Sequence, residues 1–517
     1  MISMNVERNK VAVVGLGIAG IAAVKNLTEV GFDVTGFDTA DAIGGLWHYS
    51  EEQRTTCLYN TKALVRRSTF GFSDFPYAAG DNEVPLRPAE VQAFLESYAH
   101  HFNIKSRFQL NTRVTAVHRV GNKWYLILKH KEGNQEEQAF DRLVVCTGLF
   151  QTPREPHVEG LDQFEGKVFN TQTYKKPENV EGKRVLIVGL GATATDIARS
   201  LVGIAKEIYI SHRHGCLVLP YGKANDICFP SLRKQHENAN VPTLEQRKML
   251  HKALIKIQDE SFDIKPEWGL GNAPSLPHKL PILGDGFYDL LVSGIVTLVP
   301  GLKRIHQSHV ELTDGKNLEV DVIIFAIGYD RSYSLLGPYD PSRNMPQAWK
   351  DAPGSMGRPL PRLYQGIFFL DFPDSLAYSE HVGSTLSATI NGDTASMALA
   401  QVWLGNSKLP SDEEMAISAD KQNKMATDLA NKGGVCDPAL VDSLEWSLWA
   451  DKVAGFGIQE RLGYGWKAWW LRFTDPSLYK TLLDGKFLPQ VYRLFDEGKR
   501  PPWKDARESL VKANELG

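Results

Sequence analysis

Two glycine motifs recur in this chain, and each directly follows a run of β-branched apolar residues. The first is Val-Ala-Val-Val-Gly-Leu-Gly-Ile-Ala-Gly over residues 11–20, and the second is Val-Leu-Ile-Val-Gly-Leu-Gly-Ala-Thr-Ala over residues 185–194. An apolar strand, a glycine turn and a helix in this order form the unit that binds the pyrophosphate of a dinucleotide. One such motif is a weak signal, but two predict an α/β chain with two Rossmann-like dinucleotide-binding domains.

The composition is typical of a globular chain. Its 517 residues are 43% hydrophobic and 23% charged, and the formal net charge is −3. A chain of this length has room for roughly two to four domains. A charge this close to neutral gives no electrostatic basis for binding nucleic acid, so we expect no nucleic-acid partner.

Cysteine content indicates the cellular environment. The five cysteines are scattered and none forms a Cys-x-x-Cys pair, which is typical of a reduced intracellular protein. No set of His and Cys residues has metal-ligand spacing, so we expect no metal site. The polar N-terminus leads into the first strand without a signal-peptide core, and no stretch reaches the ~18 apolar residues that span a bilayer. We therefore expect a cytoplasmic protein without a membrane anchor.

The first motif assigns a role to each of its glycines. Gly15 allows the tight turn, Gly17 lets the backbone approach the pyrophosphate, and Gly20 lets the helix pack closely on the strand. The next strand ends at Asp38, where an acidic side chain binds ribose hydroxyls and would repel a 2′-phosphate. We therefore predict that this site binds FAD or NAD rather than NADP.

Two further segments are predicted to face the same ligand. Residues 43–47, Ile-Gly-Gly-Leu-Trp, place two glycines before bulky groups, which indicates backbone pressed against a flat ligand or a plain turn. Residues 141–148 are predicted to form a strand that enters a glycine turn. The predicted first site comprises Gly15, Gly17, Gly20, Asp38, Gly45, Leu46, Trp47 and Thr147.

The second motif differs from the first at the end of its following strand. Gly189 and Gly191 take the turn and approach roles, and Ala194 replaces the third glycine, which the motif tolerates. The following strand ends in Ser211-His-Arg213, with no acidic residue. Because an arginine grips a 2′-phosphate with its planar fork, we predict that this second site binds NADP(H), with Ser211 beside Arg213.

Strand and helix patterns predict how the two units are connected. Residues 320–329 repeat the form of residues 141–148, and each segment is predicted to close a sheet and pass the chain to the other unit. We therefore predict an NADPH-binding domain inserted into an FAD-binding domain. The predicted bounds are 1–154 and 331–440 for the FAD domain, 155–330 for the NADPH domain, and 441–517 for a C-terminal helical extension.

The remaining segments give weaker signals. Thr243 is predicted to cap a helix, and a second helix is predicted over Asp393–Trp403, either under the first ligand or within the core. A stripe of C-terminal aromatic residues indicates packing or the wall of a substrate tunnel. Its members are Trp446, Trp449, Trp466, Trp469, Trp470 and Trp503.

Taken together, these motifs resemble the flavin-containing monooxygenases over nearly the whole chain. The matching segments are the first glycine motif, 43–47, Phe-Ser-Asp-Phe-Pro at 72–76, Val-Cys-Thr-Gly at 145–148, Phe-Glu-Gly-Lys-Val-Phe-Asn at 164–170, Gly-Leu-Gly at 189–191 with Asp196, Ser-His-Arg at 211–213, and 475–493 near the C-terminus. The resemblance implies FAD in the first site and NADPH in the second.

The resemblance also implies a reaction. NADPH reduces FAD, dioxygen adds to the reduced flavin as a C4a-hydroperoxide, and a nitrogen or sulfur nucleophile of a small molecule takes up one oxygen atom. The cofactor carries this chemistry, so no catalytic triad or paired carboxylate is expected. The implied partners are a small-molecule substrate and dioxygen, and the sequence leaves open whether the chain forms a homo-oligomer.

The chain departs from the family pattern at three positions. Asn170 stands where the linker signature Phe-x-Gly-x-x-x-His has histidine. Ile327 replaces a threonine in the glycine turn that ends the segment 320–329. Leu64 stands where members carry an asparagine near the flavin, about ten residues before the aspartate of Phe-x-Asp-Phe-Pro. Asn60 is the nearest asparagine and is our candidate catalytic residue, provided that the loop is shifted.

Four other functions compete with oxygenation of nitrogen or sulfur. Baeyer–Villiger oxygenation of a ketone uses the same cofactors, but related enzymes carry a His-containing linker that this chain lacks. A two-nucleotide disulfide reductase needs a redox cysteine pair, which is absent from the sequence. An uncoupled NADPH oxidase or a non-catalytic flavoprotein stays open because of Leu64.

Overall fold

The structure is a computed structural model that describes residues 9–77, 81, 82, 84–223, 243–276, 278–379, 382, 383, 387–432 and 435–515. It contains two Rossmann-like α/β units, and the second is inserted into the first. Each unit is built on a sheet with a parallel centre. The predicted α/β fold class is therefore confirmed.

The first unit opens with an apolar strand that is buried at four of five positions. Both faces of a parallel strand are covered, which explains the unbroken apolar run. Its elements up to residue 145 are β1 (Lys10–Val14), α1 (Ile18–Glu29), β2 (Asp33–Phe37), β3 (Gly71–Phe72), β4 (Phe75–Pro76), α2 (Pro88–His101), β5 (Phe108–Gln109), β6 (Thr112–Val120), β7 (Lys123–His130), β8 (Gln135–Phe140) and β9 (Arg142–Val145).

The second unit lies between two short strands, β10 (Thr152–Pro153) and β21 (Tyr329–Asp330), which pair with each other in antiparallel fashion. Its main sheet has the order β11-β20-β12-β13-β16 with every neighbour parallel. The elements are β10 (Thr152–Pro153), β11 (Lys167–Asn170), β12 (Arg184–Val188), α3 (Ala192–Ser200), β13 (Glu207–Ser211), β14 (Val218–Leu219), α4 (Thr243–Ser261), β15 (Ile282–Leu283), α5 (Phe287–Val292), β16 (Val296–Val299), β17 (Leu302–Ile305), β18 (His309–Leu312), β19 (Asn317–Glu319), β20 (Val322–Phe325) and β21 (Tyr329–Asp330).

After β21 the chain returns to the first sheet, where β24 pairs in parallel with β9. The completed sheet has the order β22-β23-β24-β9-β1-β2-β5. The elements of this last part are α6 (Gln347–Lys350), β22 (Leu363–Tyr364), β23 (Phe368–Phe369), β24 (Leu376–Tyr378), α7 (Ala388–Trp403), α8 (Asp412–Ala430), α9 (Ser443–Ala454), α10 (Gln459–Leu462), α11 (Trp466–Thr474), α12 (Pro476–Asp484) and α13 (Ala506–Glu515).

The domain bounds stay a proposal. The pairing of β10 with β21 supports boundaries near residues 154 and 330, because the chain passes from the first unit to the second at β10 and returns at β21. The segment 441–517, proposed as an extension, packs on the first unit: Arg493 forms an ion pair with Glu29 of α1 at 2.7 Å.

A buried ionic cluster joins α1 to two of the segments that resemble the family, 72–76 and 475–493. Lys25 of α1 forms an ion pair with Asp74, the aspartate of Phe-Ser-Asp-Phe-Pro, and both side chains are buried. Arg493, from the C-terminal motif, reaches the same carboxylate at 3.0 Å. Burial opposes ionisation of Glu29, but a hydrogen bond from Arg493 and the charge of Lys25 lower its pKa to about 2. Buried charges of this kind persist only when they are paired.

The helix predicted over Asp393–Trp403 begins five residues earlier than expected, at Ala388. Ser387 is its N-cap and accepts a hydrogen bond from the backbone N–H of Ile390. Asp393 lies inside the helix, where its buried carboxylate accepts hydrogen bonds from the Asn26 side chain and from the backbone N–H of Ser73, each at 2.8 Å. Because these partners lie far away in sequence, the local pattern did not predict the role of this carboxylate.

The other weak signals had mixed outcomes. The helix predicted at Thr243 is present as α4, and the capping role of the Thr243 side chain lies outside the described residues. The tryptophan stripe is not one packed surface. Trp446 is buried, whereas Trp466, Trp469 and Trp470 are exposed, so neither core packing nor a tunnel wall describes these three.

Candidate active site

A cleft of about 670 Å³ opens at the carboxyl ends of β1, β2 and β9. Ligands of open α/β sheets bind at this edge, where the strands end and the loops diverge. Seven of the eight residues predicted for the first dinucleotide line it: Gly15, Gly17, Asp38, Gly45, Leu46, Trp47 and Thr147. These residues come from four separate loops, so the fold brings together what the sequence had suggested one motif at a time.

The glycines of this cleft leave no room for side chains. Gly15 has φ +99°, and a Cβ there would overlap the carbonyl oxygen of Cys146. Gly45 has φ +54°, and a Cβ there would lie 2.9 Å from the Cα of Gly17. Gly20 faces the turn instead of the cleft, because its Cβ would overlap the carbonyl oxygen of Gly15. Two backbone segments therefore meet at the floor of the cleft.

Asp38 holds the glycine loop in place through hydrogen bonds. Its two carboxylate oxygens accept hydrogen bonds from the backbone N–H groups of Leu16 at 2.7 Å and Ala40 at 2.9 Å. Each carboxylate oxygen has a second lone pair, so these bonds leave room for a ribose hydroxyl. The sequence suggested the ribose contact alone, and the link to the glycine loop is an addition from the structure.

Helix N-termini supply positive partial charge to the cleft. Gly17 is the N-cap of α1, and the first helical residues Ile18 and Ala19 line the cleft. The first turn of α7 also lines it, through Ala388 and Asn391. Such ends favour anionic groups of a ligand because their N–H groups have no partner within the helix.

Several lining residues were missed by sequence reasoning. Gln151 donates to the hydroxyl of Thr147 at 2.8 Å and accepts from the backbone N–H of Ser332 at 2.9 Å. It therefore ties the first crossing of the chain to the second. Arg54 and Arg113 also line the cleft. Gln151 follows the Cys-Thr-Gly turn closely and could have been found. Ser332 enters from a loop and Arg113 from the start of β6, and neither belongs to a motif.

The second glycine turn lies at the corresponding edge of the second sheet. The backbone N–H of Gly189 donates to the carbonyl of Ser211 at 2.9 Å, and Gly191 is the N-cap of α3. Ala194 is in the first turn of α3 and is fully buried. The Ser211 hydroxyl is buried and donates to the carbonyl of Pro300 at 2.8 Å, whereas Arg213 is exposed just beyond the end of β13. Of these two residues of the predicted NADP(H) site, Arg213, the predicted 2′-phosphate ligand, is the accessible one.

Asn60 lies at the contact between the two units and is not among the described residues that line the cleft. Its side-chain amide donates to the backbone carbonyl of Asp196 at 3.0 Å, and its own carbonyl accepts from Arg87 at 2.6 Å. Leu64, at the family's asparagine position, is 41% exposed. The catalytic role of Asn60 therefore stays a prediction, and the contact that the structure shows for its side chain is the hydrogen bond to Asp196.

Asp196 is a buried carboxyl at the same contact. Burial raises its pKa to about 6, against the opposing effect of Arg199, whose guanidinium lies 2.9 Å from it. The departure at Asn170 has a local explanation: its side-chain oxygen accepts from the backbone N–H groups of Gln172 and Thr173, each at 2.9 Å. Asparagine thus forms a turn in the linker, as it often does.

A family model described as flavin-binding monooxygenase-like matches residues 8–515. The chain belongs to this family. Monooxygenase aurF of Gibberella zeae is 36% identical to this monooxygenase over 518 residues, which cover 98% of this chain and 97% of the relative. Flavin-containing monooxygenase 3 of Rattus norvegicus is 28% identical over 525 residues, which cover 98% of this chain and 92% of the relative.

Solved structures show the same fold. S-allyl-L-cysteine S-oxygenase from Allium sativum superposes with a TM-score of 0.62 at 21% identity, covering 98% of this chain and 99% of that one. Cyclohexanone monooxygenase in complex with epsilon-caprolactone has a TM-score of 0.62 at 18% identity, covering 87% of this chain and 98% of that one. Identities this low establish the architecture of the monooxygenase and leave its substrate open.

The cofactors of the monooxygenase are FAD and NADPH, and the described residues fit both. The cleft has side-chain-free backbone at Gly15 and Gly45 and an acid at Asp38. In the second unit, the exposed Arg213 follows the end of β13. No group of three or more possible metal ligands occurs among the described residues. Within the same residues, no helix is both long and apolar enough to cross a bilayer.

Proposed function

We propose that this monooxygenase consumes NADPH and dioxygen to oxygenate a nitrogen or sulfur nucleophile of a small molecule. The observation that carries the proposal is the chemistry of the cleft lining. Among the described lining residues, Asp38 is the one carboxylate, and there is neither histidine nor lysine. General acid–base chemistry needs such groups beside the reacting atoms. A reaction driven by the cofactor does not.

Each site residue then has a proposed task. Asp38 holds the ribose of FAD, the N-terminus of α1 holds its pyrophosphate, and the backbone at Gly45 and Trp47 lies against the flavin part. Arg213 binds the 2′-phosphate of NADPH beyond the second glycine turn. When bound, the flavin supplies the chemistry that activates dioxygen. The protein positions both nucleotides and keeps water from the reacting groups.

The proposed preference for soft nucleophiles is supported by relatives of this family. One is a human protein named dimethylaniline monooxygenase, N-oxide-forming, at 27% identity, and the Allium neighbour is an S-oxygenase. The proposed compartment is the cytoplasm. The four described cysteines, Cys57, Cys146, Cys216 and Cys436, are all free thiols, which agrees with a reducing environment.

The decisive experiment is anaerobic reduction of the purified holoenzyme by NADPH, followed by oxygen and a panel of amines and sulfides. We expect flavin bleaching by NADPH, and then oxygen uptake matched by a product heavier by one oxygen atom. NADH should reduce the flavin far more slowly. A protein that purifies without FAD, or that responds equally to both nicotinamides, would refute the proposal.

Ketone oxygenation is the second candidate, and Arg54 favours it. This reaction needs a cation beside the reacting oxygen, and Arg54 lines the cleft with a buried Nε atom that has no hydrogen-bond partner among the described residues. A panel of cyclic ketones, analysed for lactones, distinguishes the two reactions. Hydrogen peroxide formed in proportion to NADPH, without any product, would instead indicate an uncoupled oxidase.

A further inference from the structure

Helix α11 and the loop before it present five large aromatic side chains to solvent. Their exposed fractions range from 59% to 97%. Scattered exposed apolar residues are normal on protein surfaces, whereas a contiguous patch of large ones marks an interaction site. The members of this patch, called the aromatic face below, are Tyr464, Trp466, Trp469, Trp470 and Phe473.

The aromatic face is one side of a fixed helix. Positions 466, 469, 470 and 473 follow the i, i+3, i+4, i+7 spacing of a single helical face. The opposite face holds Ala468 and Leu471, both buried. Leu471 belongs to the core of the first unit. The helix is therefore anchored by its small and aliphatic side chains, and its largest apolar side chains point away from the protein.

Cations flank the aromatic face on α11 itself. Lys467 and Arg472 are the charged residues of this helix, and no acidic residue occurs in it. The Arg472 guanidinium lies 5.6 Å from the ring centroid of Trp469 and is exposed, as is Lys480 on the neighbouring α12. Lys467 pairs with Glu460 and, at 2.7 Å, with Glu497. Arg472 is thus an exposed cation beside a ring of the aromatic face, and Lys480 is an exposed cation on the helix that follows α11.

This combination is complementary to one kind of partner. Tryptophan and tyrosine prefer the boundary between lipid headgroups and acyl chains, because one end of the ring system is apolar and the other forms hydrogen bonds. Lysine and arginine beside such rings attract anionic headgroups. Association with a second copy through the same face would bring Arg472 and Lys480 of both copies together, which like-charge repulsion disfavours.

We propose that the aromatic face docks this monooxygenase onto an anionic lipid bilayer as a peripheral interfacial helix. With nine residues, α11 is too short to span a bilayer and would lie in the plane of the headgroups. The rings enter the interfacial layer, and Arg472 and Lys480 contact the phosphates. The inference concerns location and is independent of the substrate that the cleft accepts.

The test is a vesicle co-sedimentation assay with the full-length holoenzyme. One set of vesicles is pure phosphatidylcholine, and in the other about one third of the lipid is phosphatidylserine. We expect binding to the anionic vesicles and a blue shift of tryptophan emission. The double variant Trp469→Ser/Trp470→Ser should bind the anionic vesicles at least about ten-fold more weakly, because membrane affinity scales with the apolar area inserted. Ile417→Ser on α8 is the matched control, since Ile417 is also mostly exposed but lies outside the face.

Two further measurements complete the test. Arg472→Gln/Lys480→Gln should remove the preference for phosphatidylserine, and FAD content and NADPH consumption should match the wild type in every variant. Equal vesicle binding by the wild type and the tryptophan variant would overturn the proposal. So would a dimer in sedimentation velocity that the tryptophan variant abolishes while neither protein binds vesicles, because the face would then join two copies of the chain.

Discussion

The side-chain amide of Asn60 lies 3.0 Å from the backbone carbonyl of Asp196 and donates a hydrogen bond across the contact between the two dinucleotide-binding units. Asp196 belongs to α3, the helix that follows the second glycine turn. The residue that the sequence suggested for catalysis thus connects the loop beside the first cleft to the helix that begins at the second. We infer that Asn60 positions the units relative to each other.

Replacing Asn60 by alanine tests this role. We expect the free energy of unfolding to fall by about 1 kcal/mol, the usual contribution of one hydrogen bond, with FAD content unchanged. The amount of product formed per NADPH should stay near the wild-type value. Flavin absorbance, thermal unfolding and coupled turnover measure these effects. A hundred-fold loss of product per NADPH in a folded, FAD-loaded variant would instead return Asn60 to the reacting centre.

Asp196 makes stability depend on pH. Burial raises its pKa from 3.8 to about 6, so the folded chain binds this proton more tightly than the unfolded chain. The contribution to stability is therefore full below the unfolded pKa and is lost as the pH rises through 6. A shift of this size corresponds to something on the order of 3 kcal/mol between pH 4 and pH 7.

The comparison with Asp196→Asn isolates this effect, because asparagine does not titrate. We expect the wild type to gain in thermal midpoint relative to the variant as the pH is lowered from 7.5 to 5. Both proteins should be measured at several ionic strengths to remove the screening of surface charges. A difference between the two midpoints that does not change with pH would contradict the assigned titration.

Asp38 is expected to control FAD retention. Alanine at this position removes the proposed ribose contact and two hydrogen bonds that hold the glycine loop, so most of the flavin should be lost during purification. Asparagine keeps one acceptor oxygen and should retain an intermediate amount. Asp33→Asn is the matched control, because Asp33 is at the start of β2, the strand that precedes Asp38, and forms an ion pair with Arg107 at the surface. Full FAD occupancy in Asp38→Ala would exclude the ribose role.

Arg213 is expected to decide between the two nicotinamides. Arg213→Ala should weaken NADPH binding about 10- to 100-fold, since a charge-assisted contact with the 2′-phosphate is worth roughly 1.5–3 kcal/mol. NADH binding should change little because NADH has no such phosphate. Lys303→Ala serves as the control, since it removes an exposed cation of the same unit that pairs with Glu311. Equal losses for both nicotinamides would disprove the assignment.

Gly15→Ala separates steric overlap from backbone strain. Alanine would meet the carbonyl of Cys146, so we expect little folded, FAD-containing protein. Gly31 has a similar φ of +100° with open space around it, so Gly31→Ala should cost only about 1 kcal/mol and keep its FAD. Expression yield and the flavin-to-protein ratio measure both. Normal flavin content in Gly15→Ala would show that the turn can rearrange.

Local patterns predicted the parts of this molecule that depend on neighbouring residues. The strand, turn and helix of each glycine motif follow from residue type within a short window, and the structure has them where the sequence placed them. Asp38 and Arg213 were likewise found because each follows its strand at a set distance from the motif. Their proposed contacts with the two nucleotides still await the measurements above.

Contacts between distant segments could not be predicted in the same way. The helix predicted from Asp393 begins earlier because Asp393 is buried inside it, held by Asn26 and Ser73 from distant segments. The tryptophan stripe was ambiguous because its period is helical whichever side faces the core. Ser332 enters the cleft by a backbone bond to Gln151, which no residue type encodes.

The pairing of Thr152–Pro153 with Tyr329–Asp330 has a consequence for the history of this chain. Because the chain enters and leaves the inserted unit at neighbouring points, this unit is connected to the first unit through a two-stranded stem. A different nucleotide-binding module with equally close ends could be exchanged at this stem without moving the host sheet. The strand order of the host sheet would be kept in such an exchange, because the stem forms a separate two-stranded sheet.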